Sequence, residues 1–115
     1  MVMVGHVKIP EIDSEYPTSL SPAAIRILRS DLGFDGVIIT DDLGMGAITR
    51  SYSLPDAAVQ SIKAGADIVL AVRIIADYNK IYGALINAVQ RGDISESQIS
   101  QSVSRIILLK EKYLK

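Results

Sequence analysis

The stretch Leu28-Arg29-Ser30-Asp31-Leu32-Gly33-Phe34-Asp35-Gly36-Val37-Ile38-Ile39-Thr40-Asp41-Asp42-Leu43-Gly44-Met45 decides how this chain is read. At its centre, Val37–Thr40 is β-branched on every position and apolar except at Thr40, with no alternation. That pattern belongs to a strand covered on both faces, as in a buried parallel sheet. Gly33, just upstream, is a helix stop. Two aspartates leave the strand into a loop. The order is helix, short turn, strand, acidic loop.

The same order recurs on either side. Val2–Val4 and Ile68–Val72 are two further short apolar runs. The strand starts at Val2, Val37 and Ile68 lie about one βα unit apart. A helix opens at Ser21-Pro22, a cap followed by proline at the first helical position. It carries Ile25, Leu28 and Leu32 on one face and stops at Gly33. A second starts at Ser53-Leu54-Pro55-Asp56, runs to about Lys63 and stops at Gly65. A third runs from about Asp77 to Arg91, before Gly92. A fourth opens with the capping box Ser95-Glu96-Ser97-Gln98 and is expected to bury Ile99, Val103, Ile106, Ile107 and Leu109. Lys110, Lys112 and Lys115 close it with the charge that the helix dipole favours. The expected fold class is therefore α/β, in one unit over residues 1–115.

Composition removes several function classes. The chain has 12 Lys+Arg and 13 Asp+Glu, so there is no basic surplus for nucleic acid and no acidic tail. It has no cysteine, hence no disulfide framework and no Cys nucleophile. The single histidine, His6, cannot build a multi-histidine metal site. No apolar run reaches the roughly 18 residues of a membrane span. Residues 1–6 lack the charged and long apolar regions of a signal peptide. Mean hydropathy is positive, +0.28. For a short chain, whose surface is large relative to its volume, this suggests apolar surface that expects a partner.

Loop lengths point to the end of the sheet where chemistry belongs. The turns entering strands are short. Those leaving the first two strands are long, about Gly5 to Leu20 and Asp41 to Tyr52. Function in α/β folds sits at the C-terminal ends of strands. The candidates there are His6, Asp41, Asp42, Met45, Tyr52 and Arg73. A carboxylate at a strand end can serve as nucleophile, base or metal ligand, or can cap the following turn. If strand alternation persists, Asp41 shares a side with Val37 and Ile39, and Asp42 takes the other. His6 either meets a polar substrate or is satisfied by the loop backbone. Met45 and Tyr52 either line a pocket or cover its mouth. Arg73 either meets an anionic group or is an ordinary surface arginine. Asp35 and Asp67 read as turn residues, and Asp13 and Glu15 as solvated loop charges.

The quoted stretch resembles glycoside hydrolase family 3, and more narrowly the bacterial β-N-acetylhexosaminidases. So do Val2-Met3-Val4-Gly5-His6-Val7 and Pro17-Thr18-Ser19-Leu20-Ser21. The likeness continues through Ala64-Gly65-Ala66-Asp67-Ile68 and Arg105–Lys110. It implies a (β/α)8 barrel, of which this chain holds the last three βα units and a C-terminal helix, an incomplete barrel. It also implies that Asp41 is the catalytic nucleophile. His6, Asp42 and Met45 are carried over as substrate-binding residues. Family β-glucosidases typically carry Trp after the nucleophile, where this chain has Asp42, which favours an N-acetylglucosaminide substrate. The family's proton donor is a His assisted by an Asp, on a loop with Lys-His-Phe-Pro-Gly-His-Gly and then Asp-Ser-His. No such stretch occurs in these 115 residues.

The resemblance sets three expectations. The chain is part of a retaining hexosaminidase, with cell-wall muropeptides among the expected substrates, and is inactive alone. It pairs with the missing N-terminal barrel portion or self-associates, since an open three-stranded sheet has two unpaired edges. No metal, organic cofactor, nucleic acid or membrane span is implied, and localisation is open because a signal segment would precede these residues. Two alternatives belong to other classes. One is a non-catalytic sugar-binding or oligomerising piece. The other is a receiver-like regulatory module, disfavoured because Ile68–Val72 holds no lysine.

Overall fold

The computed structural model describes residues 1–72 and 75–114. Strands β1 (Val2–Val4) and β2 (Ile38–Thr40) pair in parallel, with Val2 opposite Ile38 and Val4 opposite Thr40. Between them lie a long loop, a 3-10 turn at Thr18–Leu20 and helix α1 (Pro22–Arg26). After β2 come the short helix α2 (Gly46–Thr49) and α3 (Leu54–Ala64). Two long helices complete the chain, α4 (Ile75–Gln90) and α5 (Glu96–Tyr113).

The expected third strand is reduced to one bridge, Ile68 to Ile39. The segment still runs beside β2, where Ile68 N–H reaches the Ile38 carbonyl at 3.1 Å and Thr40 N–H the Ile68 carbonyl at 3.1 Å. Beyond that point side chains take over. Leu70 N–H donates to Thr40 Oγ1 at 3.1 Å, and Val72 N–H to Asp42 Oδ1 at 3.2 Å. Side-chain oxygens occupy donors that a backbone ladder would have used, so the regular strand does not form.

Helix ends obey the local chemistry. Ser21, Ser53 and Ser95 each cap a helix by accepting an amide three residues on, at 3.0–3.2 Å. The capping box of α5 is half made. The Gln98 side chain donates to the Ile62 carbonyl instead, tying α5 to α3. Gly65 ends α3 at φ +118°, a conformation that disfavours any residue with a Cβ. A Cβ there would also sit 2.8 Å from Ile25 Cγ2.

The first helix departs from its expected register. After Arg26 it widens into a π-helical turn over Ile27–Asp31, with Leu32 N–H donating to Ile27 C=O at 2.9 Å. The extra residue per turn rotates the positions after it around the helix axis. Ile25 and Leu28 keep the core face, whereas Leu32 is 72% exposed. Helix α5 also differs. Val103 and Ile107, expected inside, are about half exposed. The inward stripe is centred on buried Ser102, because Ser102 and Arg105 both bond Asp67 and pin this face.

The core packs in three neighbouring clusters. Leu20, Leu43, Ile48, Ala57, Ala58 and Ile81 form the one beneath the long loops. Ile25, Ile38, Ala64 and Ala66 sit between β2 and the helices, and Ile62, Ala88 and Ile94 join α3 to α4. Full burial of a residue such as Leu20 or Leu43 contributes about 1.5–3 kcal/mol. The sheet itself is covered unequally. Ile38 and Thr40 are fully buried, while Met3, in register with Ile39, is 53% exposed. One face therefore packs on helices and the other stands open.

Candidate active site

Asp41 comes directly after β2. Its N–H donates to the Val4 carbonyl at 2.9 Å, continuing the parallel ladder past the strand. The alternation therefore persists, which puts Asp41 on the open face with Met3 and Ile39. The side chain is half-buried. Its Oδ1 accepts the Asp42 N–H at 2.7 Å. That charge-assisted contact to the next amide, the one its carboxylate makes among the described residues, holds the carboxylate rotamer.

Asp42 does different work. Its Oδ1 accepts from Gly44 N–H at 2.9 Å and from Val72 N–H at 3.2 Å. Its carbonyl accepts from Met45 N–H at 3.2 Å and from His6 Nε2 at 2.8 Å. Leu43 N–H reaches the Leu70 carbonyl at 2.9 Å. The residue after Asp41 is thus tied to the ends of both neighbouring strand segments.

His6 leaves β1 and is half-buried. A carbonyl only accepts, so Nε2 carries the proton toward Asp42. Nδ1 lies 2.6 Å from Ser19 Oγ, and in the neutral ring it accepts that hydroxyl. Ser19 is fully buried in the 3-10 turn. Thr18 beside it donates to the Gly5 carbonyl at 2.6 Å, and its amide reaches the Val7 carbonyl at 2.9 Å. Thr18 and Ser19 latch the long loop back onto the strand end that bears His6.

Met45 is 44% exposed at the start of α2. Tyr52 turns inward and stacks on Tyr16, with ring centroids 6.3 Å apart. It therefore packs the base of the loops. Arg73 lies outside the described residues. Asp13, expected as a solvated charge, holds its loop together. Oδ1 accepts the amides of Glu15 (2.9 Å) and Tyr16 (3.0 Å), and Oδ2 accepts the Ser21 hydroxyl at 2.7 Å. Those bonds, the Tyr16 amide foremost, hold its carboxyl below the ordinary value.

The largest departure from the sequence reading is Asp67. It is no simple turn residue. Its carboxylate is fully buried. Oδ2 accepts from Arg29 and from the Ile38 amide at 2.9 Å. Oδ1 accepts from the Ser102 hydroxyl at 2.7 Å and Arg105 at 2.9 Å. This knot lies at the strand-entry end, away from Asp41. No local pattern advertises it, since Arg29 and Arg105 are each 38 residues from Asp67.

Among the described residues no cluster of His, Asp and Glu is arranged to hold a metal ion, and no helix is long and apolar enough to cross a membrane. The arrangement offers one carboxylate on an open face, braced by three loop ends.

Comparison with known proteins gives this geometry a family. The model of the glycosyl hydrolase family 3 N-terminal domain matches residues 1–109. Beta-hexosaminidase LpqI of Mycobacterium tuberculosis is 36% identical over 115 residues, covering 95% of this chain and 29% of that protein. Beta-hexosaminidase A of Pseudoalteromonas piscicida is 31% identical, covering 97% of this chain and 22% of that protein. Among solved structures, a family 3 β-N-acetylglucosaminidase from Paenibacillus sp. superposes with a TM-score of 0.92 at 39% identity. That match covers 96% of this chain and 21% of the other. The chain thus spans under a third of the length of these relatives. With nearly all of its length matched, the chain belongs to glycoside hydrolase family 3.

Proposed function

We propose that this chain supplies the nucleophile of a retaining β-N-acetylhexosaminidase acting on terminal β-N-acetylglucosaminides, cell-wall muropeptides among them. The observation that carries the reading is Asp41, a half-buried carboxylate at a strand's C-terminal end, on the open face, with its rotamer fixed by the Asp42 amide. In a retaining mechanism such a carboxylate attacks the anomeric carbon as a proton donor, about 5–5.5 Å away, protonates the leaving oxygen. Water then hydrolyses the glycosyl ester, with the same donor acting as base. His6, Asp42 and Met45 lie on the strand ends and loop around Asp41, and Met45 is the most exposed of the four.

In this reading residues 1–115 are the last three βα units of a (β/α)8 barrel, and the proton donor comes from the remainder. Two features support it. The Met3 face is open, and an apolar cleft of about 600 Å³ runs beside the third strand segment, lined by Ile68, Val69, Ala71, Tyr78, Ile81 and Ile106. The remaining barrel units are the occupant that would cover both, and the chain alone is inactive.

A chromogenic β-N-acetylglucosaminide tests this directly. The chain is assayed alone and mixed with the first five βα units of a family relative. Turnover is expected only in the mixture, falling on the order of 10³-fold or more with Asp41→Asn. Undiminished turnover by that variant would refute the nucleophile assignment.

A further inference from the structure

We infer that His6 is a positioning residue for Asp41, acting through the backbone of Asp42 and oriented by Ser19, and that it does not contact the sugar. The inference rests on the nucleophile reading above and goes one step further, because it replaces a direct substrate contact with an indirect role.

Hydrogen-bonding capacity decides the point. A neutral imidazole has one N–H and one lone pair for hydrogen bonding. The Nε2 proton is committed to the Asp42 carbonyl at 2.8 Å. The Nδ1 lone pair faces the Ser19 hydroxyl at 2.6 Å. Neither nitrogen is left for a sugar hydroxyl. Both partners are themselves fixed. Ser19 is fully buried, in a turn that Thr18 latches to Gly5 and Val7 and that Gln60 of α3 holds by donating to the Leu20 carbonyl at 3.0 Å. Asp42 is held on its other side by Val72 and Gly44 through its carboxylate.

The consequence falls on Asp41. Its Oδ1 takes the amide of Asp42. The direction of that amide depends on where the Asp42 residue sits, and His6 and Val72 pin that residue from the two flanking strand ends. Release of the His6 tether lets the Asp42 backbone turn, and the Asp41 carboxylate turns with it. A displacement of about 1 Å in a reacting group can cost about 10²-fold in rate. The sequence suggests His6 as a pocket wall. The structure assigns it to the frame behind that wall.

Two substitutions separate the roles. Gln places its amide nitrogen near the reach of His Nε2 and keeps a donor for the Asp42 carbonyl. Asn reaches only as far as Nδ1 and loses that donor. In the 115-residue chain, long-range 1H–15N correlations should show the Nε2–H tautomer of His6. The Asp41 carboxyl 13C and Asp42 amide signals should move in His6→Asn and stay near wild type in His6→Gln. In the complemented assembly, His6→Asn should lower kcat about 10²-fold with KM within about twofold, and His6→Gln should restore most of it. Ser19→Ala, which leaves His6 in place, should give a smaller fall in kcat and a mixed tautomer. An Nδ1–H tautomer, unmoved Asp41 signals in His6→Asn, or a rise in KM alone would overturn the inference. Failure of Asp41→Asn to reduce turnover would instead overturn the nucleophile reading, and the tautomer and 13C measurements would still judge the positioning role.

Discussion

Asp41 and Asp67 are the same residue type beside neighbouring strand segments, at opposite ends of the sheet, and they live in opposite conditions. Asp67 is fully buried and takes four donors, two of them guanidinium groups. Asp41 is half-buried, and its Oδ1 is held by a backbone amide. A carboxylate saturated with buried partners is committed to structure, because removing it leaves cations desolvated and unpaired. A carboxylate braced by its rotamer and otherwise open is available to react. In a β/α sheet the entry ends of strands hold the elements together while the exit ends carry chemistry. Under the proposed nucleophile reading, Asp41 and Asp67 divide in that way.

The widest separation should appear in urea unfolding. Asp67→Ala should cost about 3–5 kcal/mol, since Arg29 and Arg105 would be left partly buried without their acid. Asp41→Asn, near-isosteric at a half-open site, should change stability by less than about 0.5 kcal/mol. Equal losses in the two variants would break the contrast.

A narrower test probes how the knot is divided. Ser102→Ala removes one hydrogen bond to a charged group and should cost about 1.5–3 kcal/mol. It should also loosen α5 selectively, visible as faster amide exchange there than in α3. Gly65→Ala tests the turn that delivers Asp67. It combines a positive φ with a close approach to Ile25, and should cost about 1–3 kcal/mol.

The smallest effect belongs to a third acid, Asp13, which sits in the exit-end loop yet has a structural job. Its carboxyl is held below the ordinary 3.8 when folded. The unfolded chain therefore binds the proton more readily. Its contribution to stability is present above pH 3.8 and disappears as pH falls through the lower folded value. Asp13→Asn should lower stability slightly near neutrality and change it less in acid, flattening the acid limb of the stability–pH curve, as measured by urea midpoints at about pH 3 and pH 6.

Much of the frame is legible because it is written locally. Ser21, Ser53 and Ser95 each cap the helix they announce, and Gly33, Gly65 and Gly92 each turn left-handed where a helix stops. Consecutive β-branched residues mark β2. Other features are hidden because they depend on distant partners. The third strand falls short of its apolar pattern since Thr40 Oγ1 and the Asp42 carboxylate compete for its amides, which no window of sequence reveals. Ser19 lies inside a distinctive motif, but nothing around it names His6 as its partner. Val103 and Ile107 satisfy the helical period, yet Ser102 and Arg105 reach Asp67 and set which side of α5 faces inward.

Sequence alone therefore determined the α/β order, the serine caps and glycine stops of the main helices, the family likeness and the acidic strand end, since each rests on residues close together or on a long contiguous motif. Tertiary structure decided the use of each polar side chain. Hydrogen bonds join residues according to distance in space, and Asp67 to Arg105 or His6 to Asp42 become neighbours only once the chain has folded.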